Sequence, residues 1–217
     1  MTAAMGMDLI LAKQAVRARG RERRESQPRW LAAGRGRAIA RRVRRLSAWR
    51  RARVVFAYAA MRGEADPGPL VRRALAEGKV VGLPRVAGPP RGKGPGLVFH
   101  RVSADTVLER GGFGIPEPPN DAETRLDPGA ADLVLVPAVA FSPEGDRIGF
   151  GGGYYDRFLR GCGGVAVGIG YEFQVLEELP RGPGDAAVDA VVTERCVRFG
   201  RGGHSRRSST RVPPTKN

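Results

Sequence analysis

The chain has 217 residues, 41% of them hydrophobic, enough to bury one sizeable α/β core, and it carries a formal charge of +15 at pH 7. Its only cysteines are Cys162 and Cys196 and its only histidines His100 and His204, which argues against a disulfide framework, a four-ligand zinc site and Ser-His-Asp or Cys-His catalysis. No apolar run approaches the ~18 residues of a membrane span, and Asp8 followed by arginine-rich sequence lacks the layout of a secretory signal, so a cytoplasmic protein with no membrane partner is expected.

In chain order, residues 8–25 and 29–50 are predicted helices. In the second, Ile39, Val43 and Leu46 recur at helical spacing while arginines fill the other positions, the pattern of an amphipathic helix with a solvated basic face. The charge is uneven along the chain. Lys13 to Arg53 holds 16 basic residues against Glu22 and Glu25, and Arg198 onward holds six and no acid, whereas residues 54–197 hold 15 basic and 19 acidic residues. The excess therefore belongs to the termini, and nucleic-acid binding is not expected from it. A strand follows at Arg53 to Ala59, then a helix at Pro67 to Glu77 begun by proline, a strand at Lys79 to Leu83, and a Gly/Pro-rich loop at Gly88 to Gly96. Leu97 to Val102 and a connection to Asp127 lead to a buried strand at Asp132 to Pro137, a turn at Phe141 to Gly145, and a helix from Tyr154 to about Arg160. Further strands are predicted near Val165 to Ile169 and Val188 to Val192. The alternation predicts a single-domain, open α/β fold, a mostly parallel sheet with helices on both faces. It would span residues 1–200, and the polar, basic residues 201–217 would form a disordered tail.

The segment from Asp146 to Leu159 concentrates the chemistry. Gly149, Gly151, Gly152 and Gly153 place four glycines in five positions, which frees the backbone to bend and to turn N–H groups toward an anion such as phosphate. Asp156 lies just beyond, where a carboxylate could hold the magnesium ion that accompanies a triphosphate; the plainer alternative is a glycine turn into a helix with Asp156 on the surface. The loop follows a strand's carboxyl end, where open α/β sheets bind ligands. It is no Rossmann fingerprint, since Tyr154 stands at the third glycine position. It is no P-loop either, because none of the four lysines precedes Ser or Thr.

The run Asp132 to Leu159, a strand ending in Val-Pro and then Phe-x-x-x-Gly-x-Arg-x-Gly-x-Gly-x-Gly-Tyr-Tyr-Asp, resembles the signature of the 5-formyltetrahydrofolate cyclo-ligase family. Lys13-Gln-Ala-Val-Arg17, Met61-Arg-Gly-Glu64, Leu83-Pro-Arg85, Gly114-Ile-Pro-Glu-Pro118, Phe173-Gln174 and Asp185 to Glu194 follow in family order, so the resemblance covers about Lys13 to Val197. It implies an ATP- and magnesium-dependent monomer that converts 5-formyltetrahydrofolate to 5,10-methenyltetrahydrofolate, releasing ADP and phosphate. ATP would phosphorylate the formyl oxygen, N10 of the folate would attack the activated carbon, and phosphate would leave. Carried over by position, Lys13, Arg17, Arg147, Gly149, Gly151, Gly152, Gly153, Tyr154 and Tyr155 would bind ATP. Glu64, Phe150, Gly151, Gly152, Gly153 and Tyr154 would face the folate, Arg147 and Tyr154 would be catalytic, and Asp156 and Asp185 would hold magnesium.

Three positions depart from the pattern. Gly184 stands where many relatives have His before the aspartate, and Phe150 and Gly152 replace basic residues of some relatives. Phosphate charge would then be met by Lys13, Arg17, Arg147, Arg157 or Arg85. Two other readings stay open at this point: a catalytically inactive relative that binds RNA through its basic termini, and a ligase acting on a different reduced folate or pterin.

Overall fold

The computed structural model describes residues 2–90 and 96–201. Helix α1 (Thr2–Glu25) is followed by α2 (Arg29–Arg45), which starts after Pro28 and buries Ile39, Ala40 and Val43. The predicted helix 29–50 is in fact two. Leu46 is extended (ψ 139°), and the chain restarts as α3 (Ser47–Arg51), which turns Trp49 into the same core as Val43. Lys79 closes the end of α3 by donating to the carbonyls of Trp49 and Ala52 at 3.1 and 2.8 Å. Then come β1 (Val54–Phe56), α4 (Gly68–Ala76), β2 (Val80–Val86) and β3 (Leu97–Val102). The predicted connection to Asp127 contains three two-residue strands: β4 (Glu109–Arg110), β5 (Pro116–Glu117) and β6 (Arg125–Leu126). After β7 (Leu133–Val136), β8 (Ala140–Phe141) and β9 (Arg147–Ile148) form a small hairpin around the predicted turn; α5 (Tyr154–Arg160), β10 (Val165–Ile169), β11 (Ala190–Val192) and β12 (Val197–Phe199) complete the fold.

The main sheet has eight strands in the order β12-β11-β10-β7-β1-β2-β3-β6. The five inner strands from β11 to β2 are parallel; β12 and β3 flank them in antiparallel pairing, and β6 pairs antiparallel with β3 at the far edge. Alternate residues of the parallel strands face opposite layers. Val55, Leu133, Leu135 and Val167 pack with Val43, Trp49 and Leu70 of α2, α3 and α4. Phe56, Val134, Val136 and Ala166 pack with Phe158 and Leu159 of α5, where Phe99 stacks on Phe56 at 4.4 Å and meets Phe158 at 4.5 Å. Helices therefore cover both faces, as the alternation predicts.

Part of the basic surface serves the fold. Arg35 pairs with Glu194 at 3.2 Å and Arg42 donates to the carbonyl of Arg195 at 2.7 Å, tying α2 to the turn between β11 and β12. Arg201, the first residue of the expected tail, donates its N–H to the Glu144 carbonyl at 3.1 Å; the rest of that tail lies outside the described residues. Among the described residues no helix is long and apolar enough to cross a membrane.

Helix α1 rests on β8 and β9 through a stripe in which Lys13, Arg17, Gly20 and Arg24 follow at i, i+4, i+7 and i+11, all on one face. Gly20 sets the approach. A Cβ there would sit 2.4 Å from Val139 Cγ1 and 3.2 Å from the Val139 carbonyl oxygen, so any side chain pushes the helix outward. Gly20→Ala gains about 1 kcal/mol of helix propensity but overpacks this contact at a cost of about 1–3 kcal/mol. The expected net result is a loss of about 1 kcal/mol in urea unfolding. A variant more stable than the parent would show that α1 has room to spare.

Candidate active site

The parallel strands run in the order 2-1-3-4-5, with β1 between β2 on one side and β7 on the other. The chain therefore reverses direction across the sheet between β1 and β7, and a crevice opens at their carboxyl ends, the usual ligand position in such sheets. Residues 57–64 leave β1 there and residues 137–153 leave β7. Between them, closed on one side by α1, lies a cleft of about 750 Å3. The short β1 follows from this: pairing stops at Phe56, not at the predicted Ala59, because the next residues form the cleft floor, with Tyr58 Oη donating to the Ala65 carbonyl.

The β8–β9 hairpin aims the glycine loop. Gly145 closes its turn at φ +93°, where a Cβ would lie 2.3 Å from the Val188 carbonyl oxygen. Gly151 and Gly153 take φ values of +105° and +68°, which ordinary side chains resist, and Gly153 leads into α5. Arg17 Nε donates to the Gly149 carbonyl at 2.8 Å and Arg157 Nη1 to the Gly152 carbonyl at 3.2 Å, so the loop is gripped from two sides.

Two ion pairs face the cleft. Lys13 Nζ donates to both oxygens of Asp185 at 2.7 and 2.5 Å, and the Gly182 N–H donates to Asp185 Oδ2 at 2.7 Å. Arg147 Nη2 donates to Asp156 Oδ1 at 2.8 Å, an oxygen that also accepts the Ala186 N–H at 3.1 Å. Burial pushes the Arg147 guanidinium below its ordinary pKa while Asp156 pulls it back up, and Arg147 Nε has no partner among the described residues. Beside it the buried Tyr155 hydroxyl is also unpartnered, and its pKa is raised by burial and by Glu64. Glu64 is buried, which raises its carboxyl pKa. The Met61 N–H at 2.9 Å and Arg24 Nη1 at 3.3 Å oppose that rise. Tyr154 donates to the Gly88 carbonyl at 3.2 Å, its ring between Phe113 and the Arg157 guanidinium.

All thirteen positions singled out from the sequence line this one cleft: Lys13, Arg17, Glu64, Arg147, Gly149 through Asp156, and Asp185. Arg85 and Arg157 do not line it. Arg85 is taken up by Glu109 at 3.1 Å and the Pro118 carbonyl at 2.8 Å, and Arg157 by the two loops it joins. The cleft also contains apolar residues that no motif announced, among them Ile10, Tyr58 and Phe113. Phe113 carries a positive φ of 59° between two glycines, and the Gly-Phe-Gly triplet was the available signal. As for a metal, no group of three or more His, Cys, Asp or Glu stands ready among the described residues. Among the described residues Asp156 accepts hydrogen bonds through Oδ1 alone, while both oxygens of Asp185 are engaged by Lys13. Two carboxylates at most, in a cleft open to phosphates and water, suit magnesium better than a metal that demands a full protein cage.

A model of the 5-formyltetrahydrofolate cyclo-ligase family matches residues 10–194. The 5-formyltetrahydrofolate cyclo-ligase of Haemophilus influenzae is 34% identical over 134 residues, 60% of this chain and 70% of that protein. The Escherichia coli K12 protein of the same name is 34% identical over 145 residues, 65% of this chain and 78% of that protein. Among solved structures, the NMR structure of Aquifex aeolicus 5,10-methenyltetrahydrofolate synthetase superimposes with a TM-score of 0.76 at 35% identity, covering 89% of this chain and 95% of that one.

Proposed function

Because this chain belongs to the 5-formyltetrahydrofolate cyclo-ligase family, we propose that its cleft closes 5-formyltetrahydrofolate to 5,10-methenyltetrahydrofolate with ATP, releasing ADP and phosphate. The observation that carries the reading is the convergence, at one crevice, of a glycine loop built for close backbone approach, paired cations and carboxylates beside it, and the buried Glu64 at the far side.

Both nucleophiles of this reaction belong to the substrates. The formyl oxygen attacks the γ-phosphorus and ADP leaves; N10 then attacks the formyl carbon, and the C–O bond to phosphate breaks. The protein's work is alignment and charge neutralisation. Lys13 and Arg17, one helical turn apart, reach the phosphates as a point charge and a fork. Arg147 lines the cleft beside Gly149 and brings a positive charge to the transferring phosphoryl group. Glu64 accepts N–H groups of the pterin end, a task that requires its charged form. Phe150 and Tyr154 lie where the two ligands meet. Asp156, with Asp185, would hold magnesium, which supplies charge neutralisation on the phosphates. Lys13 and Asp185 neutralise each other before ligands arrive, so MgATP has to draw them apart, the lysine to phosphate and the carboxylate to metal. The chain works as a cytoplasmic monomer in this reading.

The test is the absorbance of methenyltetrahydrofolate formed from 5-formyltetrahydrofolate. Product should appear only when ATP and magnesium are both present. Formation at full rate without nucleotide would end the phosphoryl-activation mechanism.

A further inference from the structure

We infer that Arg24, a residue outside the cleft, is a positioning residue that orients Glu64 and supports Phe150, so that α1 and the glycine loop together set the folate end of the site. The inference rests on the proposed function for the role of Glu64. Arg24 is 4% exposed and is not among the residues that line the cleft. Both of its neighbours are. Its Nη1 lies 3.3 Å from Glu64 Oε1, and its guanidinium carbon lies 4.8 Å from the centre of the Phe150 ring. Glu64 comes from the segment after β1 and Phe150 from the loop after β9, so this one guanidinium joins two walls that share no other element.

The local geometry is built around it. Gly63 passes Arg24 at φ +80°, and a Cβ there would lie 3.1 Å from both Arg24 Cβ and the Arg24 carbonyl oxygen. The Met61 N–H fixes one carboxylate oxygen of Glu64 and Arg24 the other, which sets the plane of the group and leaves its remaining lone pairs for a ligand. Among the described residues the other titratable groups around Glu64 are the phenols of Tyr58 and Tyr155 and that of Tyr171, which donates to the Glu64 carbonyl oxygen at 3.1 Å, while the Asp66 carboxylate acts on Tyr58. Arg24 is thus the cation that, with the Met61 N–H, opposes the rise that burial imposes on this carboxyl. Stability alone does not account for the pair, since a buried guanidinium against one carboxylate, with Nε unpartnered, stabilises a fold no better than apolar residues of the same size.

The experiment measures binding of 5-formyltetrahydrofolate and of MgATP by calorimetry across pH, for the full chain and for Arg24→Met, Arg24→Lys, Glu64→Gln and the double variant Arg24→Met/Glu64→Gln. Arg24→Met should weaken folate binding about tenfold or more while MgATP affinity stays within about twofold. Folate binding by Arg24→Met should recover as pH rises, because without the opposing guanidinium burial raises the Glu64 carboxyl further and its charged form returns only at higher pH. Arg24→Lys should restore most of the neutral-pH affinity. In the Glu64→Gln background the further change to Met should matter less than about twofold, since Arg24 then has no carboxylate to hold. An equal loss for both ligands, an unmoved pH dependence, or an Arg24→Met effect as large in the Glu64→Gln background as in the parent would make Arg24 a packing residue and overturn the inference. If Arg24→Met does not fold, Arg24→Gln takes its place: folate binding about tenfold weaker at unchanged MgATP affinity supports the role, and parallel losses or no loss at all refute it. A parent chain that binds and turns over no 5-formyltetrahydrofolate would overturn the proposed function itself, before any variant is made.

Discussion

Asp156→Asn should lower turnover by about a hundredfold or more, a loss of about 2.7 kcal/mol in transition-state stabilisation. Asparagine keeps the shape of the side chain and its link to the Ala186 N–H but removes the charge, and two functions depend on that charge. One, in the proposed mechanism, is holding magnesium. The other is the partnership with Arg147, whose side chain is only 2% exposed and would be left buried without its counter-charge. A magnesium titration separates the two. If the carboxylate holds the metal, the concentration needed for half-activation rises sharply and excess magnesium recovers part of the rate. If Asp156 only partners Arg147, thermal stability falls and the magnesium requirement stays where it was. An unchanged rate with an unchanged magnesium requirement would leave Asp156 as an ordinary surface carboxylate at the start of α5.

The architecture was legible wherever hydrophobic pattern and turn chemistry agreed. The run Leu133 to Val136 is buried at every position, as a strand covered on both faces must be, and the glycines before Tyr154 mark the entry into α5. What escaped has no local signal. The two-residue strands β4, β5, β6, β8 and β9 are too short to show a period, and β12 exists because β11 offers it an edge. The break at Leu46 is decided by where Trp49 can be buried, a choice made by the core and not by residues 29–50 themselves. The site divides in the same way. Its phosphate end is written in one contiguous stretch, whereas the pairing of Lys13 with Asp185 spans 172 positions and that of Arg24 with Glu64 spans 40. Motif resemblance located the members of the first pair without indicating that they meet. Arg24 reads in the sequence as one more arginine in a basic helix, since only the fold reveals that it is buried.

Arg147→Lys should cost about a hundredfold to a thousandfold in turnover, the range found when a single preorganised donor is removed from a developing charge. Lysine keeps the sign of the charge but loses the planar fork that places Nη2 on Asp156 at 2.8 Å while Nη1 lies beside Gly149. Burial already pushes the Arg147 guanidinium down, yet an arginine remains charged; an ammonium in the same place does not have that margin. The variant's residual activity should therefore decline as pH rises through the lowered lysine pKa, whereas the parent should show no such limb. Stopped-assay rates from about pH 6 to 9 would reveal it, and a flat profile would mean that the new ammonium reaches solvent and that Arg147 is less enclosed than its contacts imply. Combined with Asp156→Asn, the change should add far less than its own factor if the two side chains work through their mutual ion pair. Losses that multiply would instead place the two side chains on separate tasks, with Asp156 serving the metal and Arg147 serving the transferring phosphate.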